Sequence, residues 1–522
     1  MKAVDHVIIG TGINALVAGA LLARKGKRVL LLERETRVGG CMMTAEATLP
    51  GFHHDVMAAT FVLFLTSPAY AELAGDLAQH GFDLCHTPHP TAVLRPDGRA
   101  TVLSMDRAAN IAAFNALAPG DGDQHGIDVG TIEADAPFLF ALLGGDLWSV
   151  KTAKLLAAQA WKRGLNGLKS WIGKALVPAR GWLETSYKSD DIQALWAPWV
   201  LHCGLTPEST YSGEMAKVVA FALEAAGAPI VKGGSGRAAE AFRSLIEAKG
   251  GEIRTGVDID RILIENGRAV GVETATGEKI MAGHVLASVT PTQLHGRLLR
   301  GHVPAPQEQA LRGYRYGRGD FQLHFALDRK PEWLTEGIDD VALIHLSDGI
   351  DAVSKSANEA ERGMIPETPT ICVGQPSTLD PSRCPEGKAI LWLQIPDAPR
   401  EIKGDAAGQI ATNGQWDEAT REAYADRIEA ILARHIRDFD QIKLARRAYS
   451  PADLEALNMN LVGGDPYGGL CTIDQFFVFR PFTGTRNGDT PVRNLTQIGA
   501  STHPGPGLGG GSGYNAAKRL GA

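Results

Sequence analysis

Cysteine is scarce and never paired. Cys41, Cys85, Cys203, Cys372, Cys384 and Cys471 are scattered, with no CxxC among them. That usage excludes a redox dithiol and a zinc site of recognisable spacing, and it suits a reducing compartment. The 15 histidines show no ligand spacing either, so no metal is expected. Positive charge is not in excess: 52 Lys and Arg stand against 59 Asp and Glu, a formal charge of −7. Nothing there attracts nucleic acid in general. No apolar run reaches membrane-spanning length. A strand is expected from Val4, which leaves no room for a signal peptide, so the expected location is cytoplasmic. Internal repeats and low-complexity tails are also missing.

What is present in quantity is glycine, 60 residues of it, concentrated in loops. At 522 residues, with 44% hydrophobic and 21% charged, the chain is a globular protein too long for one core. Two interleaved domains are expected.

Val4–Ile9 reads as a strand, Ile13–Lys25 as a buried helix ended by Gly26, and Arg28–Leu32 as a second strand finishing at Glu33. This is a βαβ opening. A helical region from about Phe61 to Ala228 carries Trp148, Trp161, Trp171, Trp182, Trp196 and Trp199. Ordinary packing accounts for them, and the sharper reading is a lined apolar tunnel or a membrane-touching patch. Lys151, Lys154, Lys162, Arg163, Lys169, Lys174 and Arg180 would suit peripheral membrane contact, although a solvated helix face is the simpler account.

After Ile230 the α/β character returns. A helix near Arg237–Lys249 precedes strands at Glu252–Arg254, Ile259–Glu265 and Ala269–Thr274, with Asn266-Gly267 as a hairpin turn, then a short strand at Val285–Ser288. Alternation at Phe321–Phe325 and Ala389–Leu393 predicts a further sheet. Trp416–Ile436 predicts an amphipathic helix, Leu495–Ile498 a strand and Tyr514–Arg519 a helix.

Two glycine segments look built for one ligand. Gly10 and Gly12 permit a tight turn with backbone N–H groups, including those of Ile13 and Asn14, against a pyrophosphate, and Ala15 is small enough for helix–strand packing. Glu33 ends the second strand, where a carboxylate binds ribose hydroxyls. Arg34, Arg37, Gly39 and Gly40 follow, and this second glycine pair favours FAD, whose longer body needs more backbone donors. At the other end, Gly499, Ala500, Thr502, Gly509 and Gly510 lie between a strand and a helix whose N-terminus suits the flavin's electron-rich side. Two look-alikes are set aside. Gly234-Ser235-Gly236 follows no long strand, and Gly509-Gly510-Gly511-Ser512-Gly513 has glycines where a nucleophile elbow needs a strand.

Gly10–Ala18, Leu32–Gly40 and Pro50–Asp55 resemble the opening of the phytoene desaturase-like FAD oxidoreductases. Gly250–Gly256 with Ile259–Ile262, Ser450–Glu455, Asp474–Pro481 and Thr502–Gly505 are similar to that family's later segments. The likeness is nearer to the pyridine nucleotide-disulfide oxidoreductase domain-containing protein 2 type than to the carotenoid desaturases. It implies FAD as cofactor and a contact of the Ile259 backbone with adenine.

The expected fold is α/β: a discontinuous Rossmann-type, glutathione-reductase-like FAD domain (1–70, 229–295 and 456–522) with an inserted α+β substrate domain (71–228, helical, and 296–455, sheet plus helix). The expected reaction is dehydrogenation or desaturation of an apolar small molecule by hydride transfer to flavin N5, with quinone or oxygen as acceptor. His503 is the candidate beside the flavin ring, a loop-ordering role being the alternative. Asp55 reads as a structural hydrogen-bonding group, with His53 and His54 near the ring, and Asp474 and Arg480 as salt-bridge formers. An amine oxidase, an isomerase needing reduced FAD and an interaction protein that keeps FAD for folding stay open.

Overall fold

Val7–Ile9 and Val29–Leu32 are buried throughout, as strands covered on both faces must be. In the computed structural model, which describes residues 4–522, these two strands pair in parallel and helix Ile13–Arg24 crosses between them. Glu252–Arg254 extends the sheet in parallel on one side. Lys279–Ser288 does so on the other, and Leu495–Ile498 lies parallel to the end of that strand. One sheet is therefore sewn from three distant stretches of chain.

Alternate side chains serve two layers. Ile8, Leu31, Leu286 and Ile498 pack under helices Ile13–Arg24, Ser235–Ala248 and Gly511–Arg519. Val7, Ile9, Leu30, Leu32, Val285 and Ala287 pack on the opposite side, against the hairpin Ile259–Glu265/Arg268–Thr274. Asn266 and Gly267 both take positive φ (52° and 70°), as an Asn-Gly hairpin turn requires. The short strand expected at Val285–Ser288 is the second half of a longer one. Its first half, Lys279–Met281, pairs with the hairpin, so the polar residues preceding the apolar run are strand too. The last helix starts at Gly511, three residues before the tyrosine expected to begin it.

A second sheet has the spatial order Lys443–Tyr449, Gly319–Leu327, Ala389–Ala398, Ile371–Gly374, Leu343–Leu346, Thr91–Leu94, Ala100–Leu103. Its last two strands come from the stretch read as helical, because tertiary pairing with Leu343–Leu346 recruits them. Likewise helix Pro68–Gln79, reaching past residue 70, packs Leu73 and Leu77 into the first unit's core. One face of the second sheet carries Phe321, Leu323, Phe325, Val373, Leu391 and Leu393 against Tyr424, Ile428 and Leu432 of helix Glu418–Ala433. The helical part of the chain, including Trp182, Trp196 and Trp199, forms a third core over the other face.

Candidate active site

The first glycine loop leaves its backbone open where a ligand would need it. A Cβ on Gly10, at φ +91°, would stand 3.3 Å from the Ser288 carbonyl, and one on Gly40 would stand 3.1 Å from Gly12 Cα. Over Gly12 itself an added Cβ meets nothing within 4 Å. Helix Ile13–Arg24 starts there with no side-chain cap. Backbone packed tightly behind an uncapped helix N-terminus, with space in front, is what a pyrophosphate requires.

Glu33 is fixed by hydrogen bonds. Its carboxylate accepts from Thr11 N (2.9 Å), Thr11 Oγ1 (2.6 Å) and Glu35 N (3.0 Å). Thr11 Oγ1 in turn accepts from Gly39 N at 3.1 Å, joining the two glycine loops. Thr11 escaped the sequence reading, although a polar side chain between two such glycines, facing the strand-end acid, was the available signal. Arg34 pairs with Glu35, and Arg37 donates to the Gly40 carbonyl at 3.0 Å. The segment leading to Ile259 lies alongside, with Val257 N bonded to the Glu33 carbonyl at 2.8 Å. The Ile259 carbonyl accepts from Arg297 Nη1 at 2.6 Å.

The two termini meet. Asn14 Oδ1 accepts from Ser512 Oγ (2.8 Å) and Gly513 N (3.2 Å), and Ser512 Oγ accepts from Gly499 N at 2.8 Å. A Cβ on Gly513 would lie 1.8 Å from the Asn14 carbonyl oxygen, so only glycine lets the helices touch there. Thr502 closes its own turn onto the Gly499 carbonyl, and the Ala500 carbonyl accepts from Arg480. Gly509 and Gly510 lead into the last helix, Gly510 packing on Val17. These residues fit FAD: an open glycine cradle, an oriented acid and a second helix N-terminus converge from both ends of the chain. Ser512 is thereby a pin between helices, not a nucleophile.

Other expected groups find structural partners. Asp55, fully buried, accepts from Thr44 Oγ1, Ser235 N and Arg383 Nη2, the last at 2.6 Å. An internal carboxylate thus fills the N-terminus of helix Ser235–Ala248, which explains why Gly234-Ser235-Gly236 is no nucleotide loop. His54 bonds Thr48 rather than standing free. Asp474 pairs with Arg315, not with Arg480. Arg480 is buried among carbonyls, those of Ala500, Tyr467 and Leu470, and so ties the last strand to the preceding loops. His503 is buried, and its Nε2 donates to the Gly145 carbonyl at 3.0 Å while Nδ1 has no partner. Burial holds its imidazole down, to about 4, so it is neutral at pH 7.

The second sheet closes the site with a polar face that is nevertheless buried. Asp320, Gln322 and His324 alternate with the apolar side chains of their strand. Across the register, Gln322 faces Gln394, Gln394 faces Cys372 and Cys372 faces His345. Gln322 brackets Met57, accepting from its N–H at 2.8 Å and donating to its carbonyl at 3.0 Å. That grip holds a non-glycine residue at φ +86°, a conformation costing on the order of 1–3 kcal/mol. Asp320 accepts from Gln322 and Gln394, and burial raises its carboxyl to about 8. Asp320 Oδ1, both His324 nitrogens, His345 Nδ1 and the Trp199 and Trp392 indole N–H groups have no protein partner. Beside them a cavity of about 10 Å³, room for one water, is lined by Ala59, Thr60, Ile230, Leu343, Gly374 and Trp392.

Residues 8–77 match the model of the NAD(P)-binding Rossmann-like domain. The chain is 27% identical to a component of the limonene dehydrogenase of Castellaniella defragrans, over 100% of this chain and 95% of that protein. It is 26% identical to pyridine nucleotide-disulfide oxidoreductase domain-containing protein 2 of Mus musculus, over 98% and 92%. With the lycopene-forming phytoene desaturase of a Paracoccus species it shares 30% over 53% of this chain and 52% of the other. The chain is thus similar to the phytoene desaturase-like oxidoreductases. The same fold is found in an oxidoreductase from Methanosarcina mazei (TM-score 0.62, 14% identity, 99% and 100% covered) and in putrescine oxidase (0.60, 14%, 99% and 98%). Among the described residues of this oxidoreductase, no helix is long and apolar enough to cross a membrane.

Proposed function

We propose that the enzyme dehydrogenates or desaturates an apolar small molecule and passes the electrons to a quinone or to oxygen. Bound FAD supplies the two-electron acceptor. The chain's residues hold that cofactor through the Gly10–Ala15 loop, Glu33 and the Gly499–Gly510 segment, and they keep water from the reacting carbon. The observation that carries the reading is the buried polar face of the second sheet, turned toward the cofactor unit beside apolar walls. Many apolar contacts with a few fixed polar groups are the make-up of a small-molecule site. His503, whose Nδ1 has no partner, is the side chain that would meet the flavin ring near the C-terminal glycines.

The test is anaerobic addition of terpene hydrocarbons, terpene alcohols and primary amines to the purified flavoprotein. Loss of the flavin's visible absorption with the terpenoids is expected. Bleaching by amines alone would replace this reading with amine oxidation.

An apolar substrate points to delivery from a bilayer, and the helical stretch Val150–Ala175, broken at Gly164, supports peripheral contact with one. Thr152 is its single fully buried residue. Trp161 is 91% exposed, Leu165 75% and Val150 72%, with Trp148, Leu156 and Ile172 also outward. Between Asp146 and Glu184 every charged residue is basic. Arg163 pairs with Asp135 and Arg180 with Glu208, while Lys151, Lys154, Lys162, Lys169 and Lys174 remain exposed. Exposed indole and aliphatic groups amid lysines match an anionic lipid surface. Gly145, just before this helix, is the residue that binds His503, so the patch adjoins the cofactor end of the site. In flotation assays the protein should bind phosphatidylglycerol vesicles and not phosphatidylcholine ones, and Trp161→Glu should weaken binding about tenfold. Equal, weak recovery with both lipids would sink the membrane reading.

A further inference from the structure

One cluster in the buried face is unlike its surroundings. His345 and Cys372 are register partners on adjacent strands, and His202 reaches them from the helical turn Ala197–Cys203. The two Nε2 atoms are 2.9 Å apart, and the ligating atoms of all three side chains lie within 4.8 Å of one another. His345 and Cys372 are 1% and 0% exposed. The Trp199 ring packs on both imidazoles, with centroids 4.8 Å from His202 and 4.9 Å from His345, so both rings are held in place. The histidines stand 143 residues apart in sequence, which is why no ligand spacing announced them.

We propose that His202, His345 and Cys372 form a binding site for a divalent, thiolate-accepting metal ion, zinc being the best match. Two imidazole nitrogens and one thiolate are a donor set that zinc prefers over magnesium or calcium. Without a cation, one imidazole lone pair must take the other ring's proton and the thiol has no acceptor of its own. With one, both Nε2 lone pairs and the sulfur are satisfied together. Binding expels the Cys372 proton. The buried dication is then balanced in part by the thiolate. Among the described residues no further His, Cys, Asp or Glu completes the cluster, so one tetrahedral position stays open for water or a substrate heteroatom.

The experiment measures metal, not turnover, so its failure leaves the redox reading untouched. FAD-loaded protein is stripped with a chelator, exposed to excess zinc chloride, desalted and analysed by mass spectrometry. About one zinc per chain is expected, with an X-ray absorption signature of one sulfur near 2.3 Å and two nitrogens near 2.0 Å. Cys372→Ser and His202→Ala should each cut retained zinc at least tenfold while keeping the flavin. His202 is only half-buried, so its variant serves if the Cys372 variant fails to hold FAD. No zinc on the wild-type chain would overturn the proposal. So would zinc retained undiminished by a flavin-loaded variant, or a shell without sulfur.

Discussion

The two large sheets place their polar and turn residues differently. The three-segment sheet is largely apolar on both faces, and its distinctive residues, Gly10, Glu33 and Gly499, lie at its ends, where the chain turns. The second sheet gathers its polar groups on a face, where Gln322, Gln394, Cys372 and His345 lie side by side. An end is made by neighbours in sequence, and its demands fall on backbone conformation and a helix N-terminus. A face is made by strands that meet only after folding, and its demands fall on side chains tens to hundreds of residues apart.

The contrast is broken most severely where the two units join. Arg383 and Asp55 form an ion pair with both side chains fully buried. Arg383→Ala strands the carboxylate and should cost about 3–5 kcal/mol in a denaturant titration. If the loss is under about 1 kcal/mol, the junction is not what holds the two units in register.

Asp320 sharpens the face. Its folded-state value, raised to about 8, lies above the unfolded carboxylate value, so the folded state holds the extra proton between pH 4 and 8. Stability therefore falls as pH rises through that window. Asp320→Asn, which cannot ionise, should be more stable than wild type by on the order of 2–4 kcal/mol at pH 8 and equal to it near pH 4. Urea midpoints across that range check the sign, and a constant difference would show that Asp320 does not titrate there.

Glu33 tests the ends with the smallest expected effect. Glu33→Ala should weaken FAD binding by about 1–3 kcal/mol, read by fluorescence titration, through lost charge-assisted hydrogen bonds. Unchanged affinity would remove Glu33 from the ribose site.

The same division explains what could be read beforehand. The βαβ opening, the Asn266-Gly267 hairpin and the closing strand Leu495–Ile498 were legible because turn residues and apolar runs are local signals. The convergence of the two glycine segments followed only from two loops asking for one ligand, and the Asn14–Ser512 bond within it had no signal of its own. The polar row Asp320, Gln322, His324 was visible as alternation, which ordinarily marks a solvent-facing side; that it is buried depends on the cofactor unit covering it. His202, His345 and Cys372 had no local signature, since each is unremarkable within its own strand or turn. Strands Thr91–Leu94 and Ala100–Leu103 were lost inside a helical stretch for the same reason.

The Asn14–Ser512 pin also sets an order of events during synthesis. Residue 14 leaves the ribosome long before residue 512 exists, so the nascent amino-terminal loop waits without the partner that completes it. Cofactor loading therefore belongs to the finished polypeptide, and messages cut short before codon 512 should yield colourless protein however well their first domain folds.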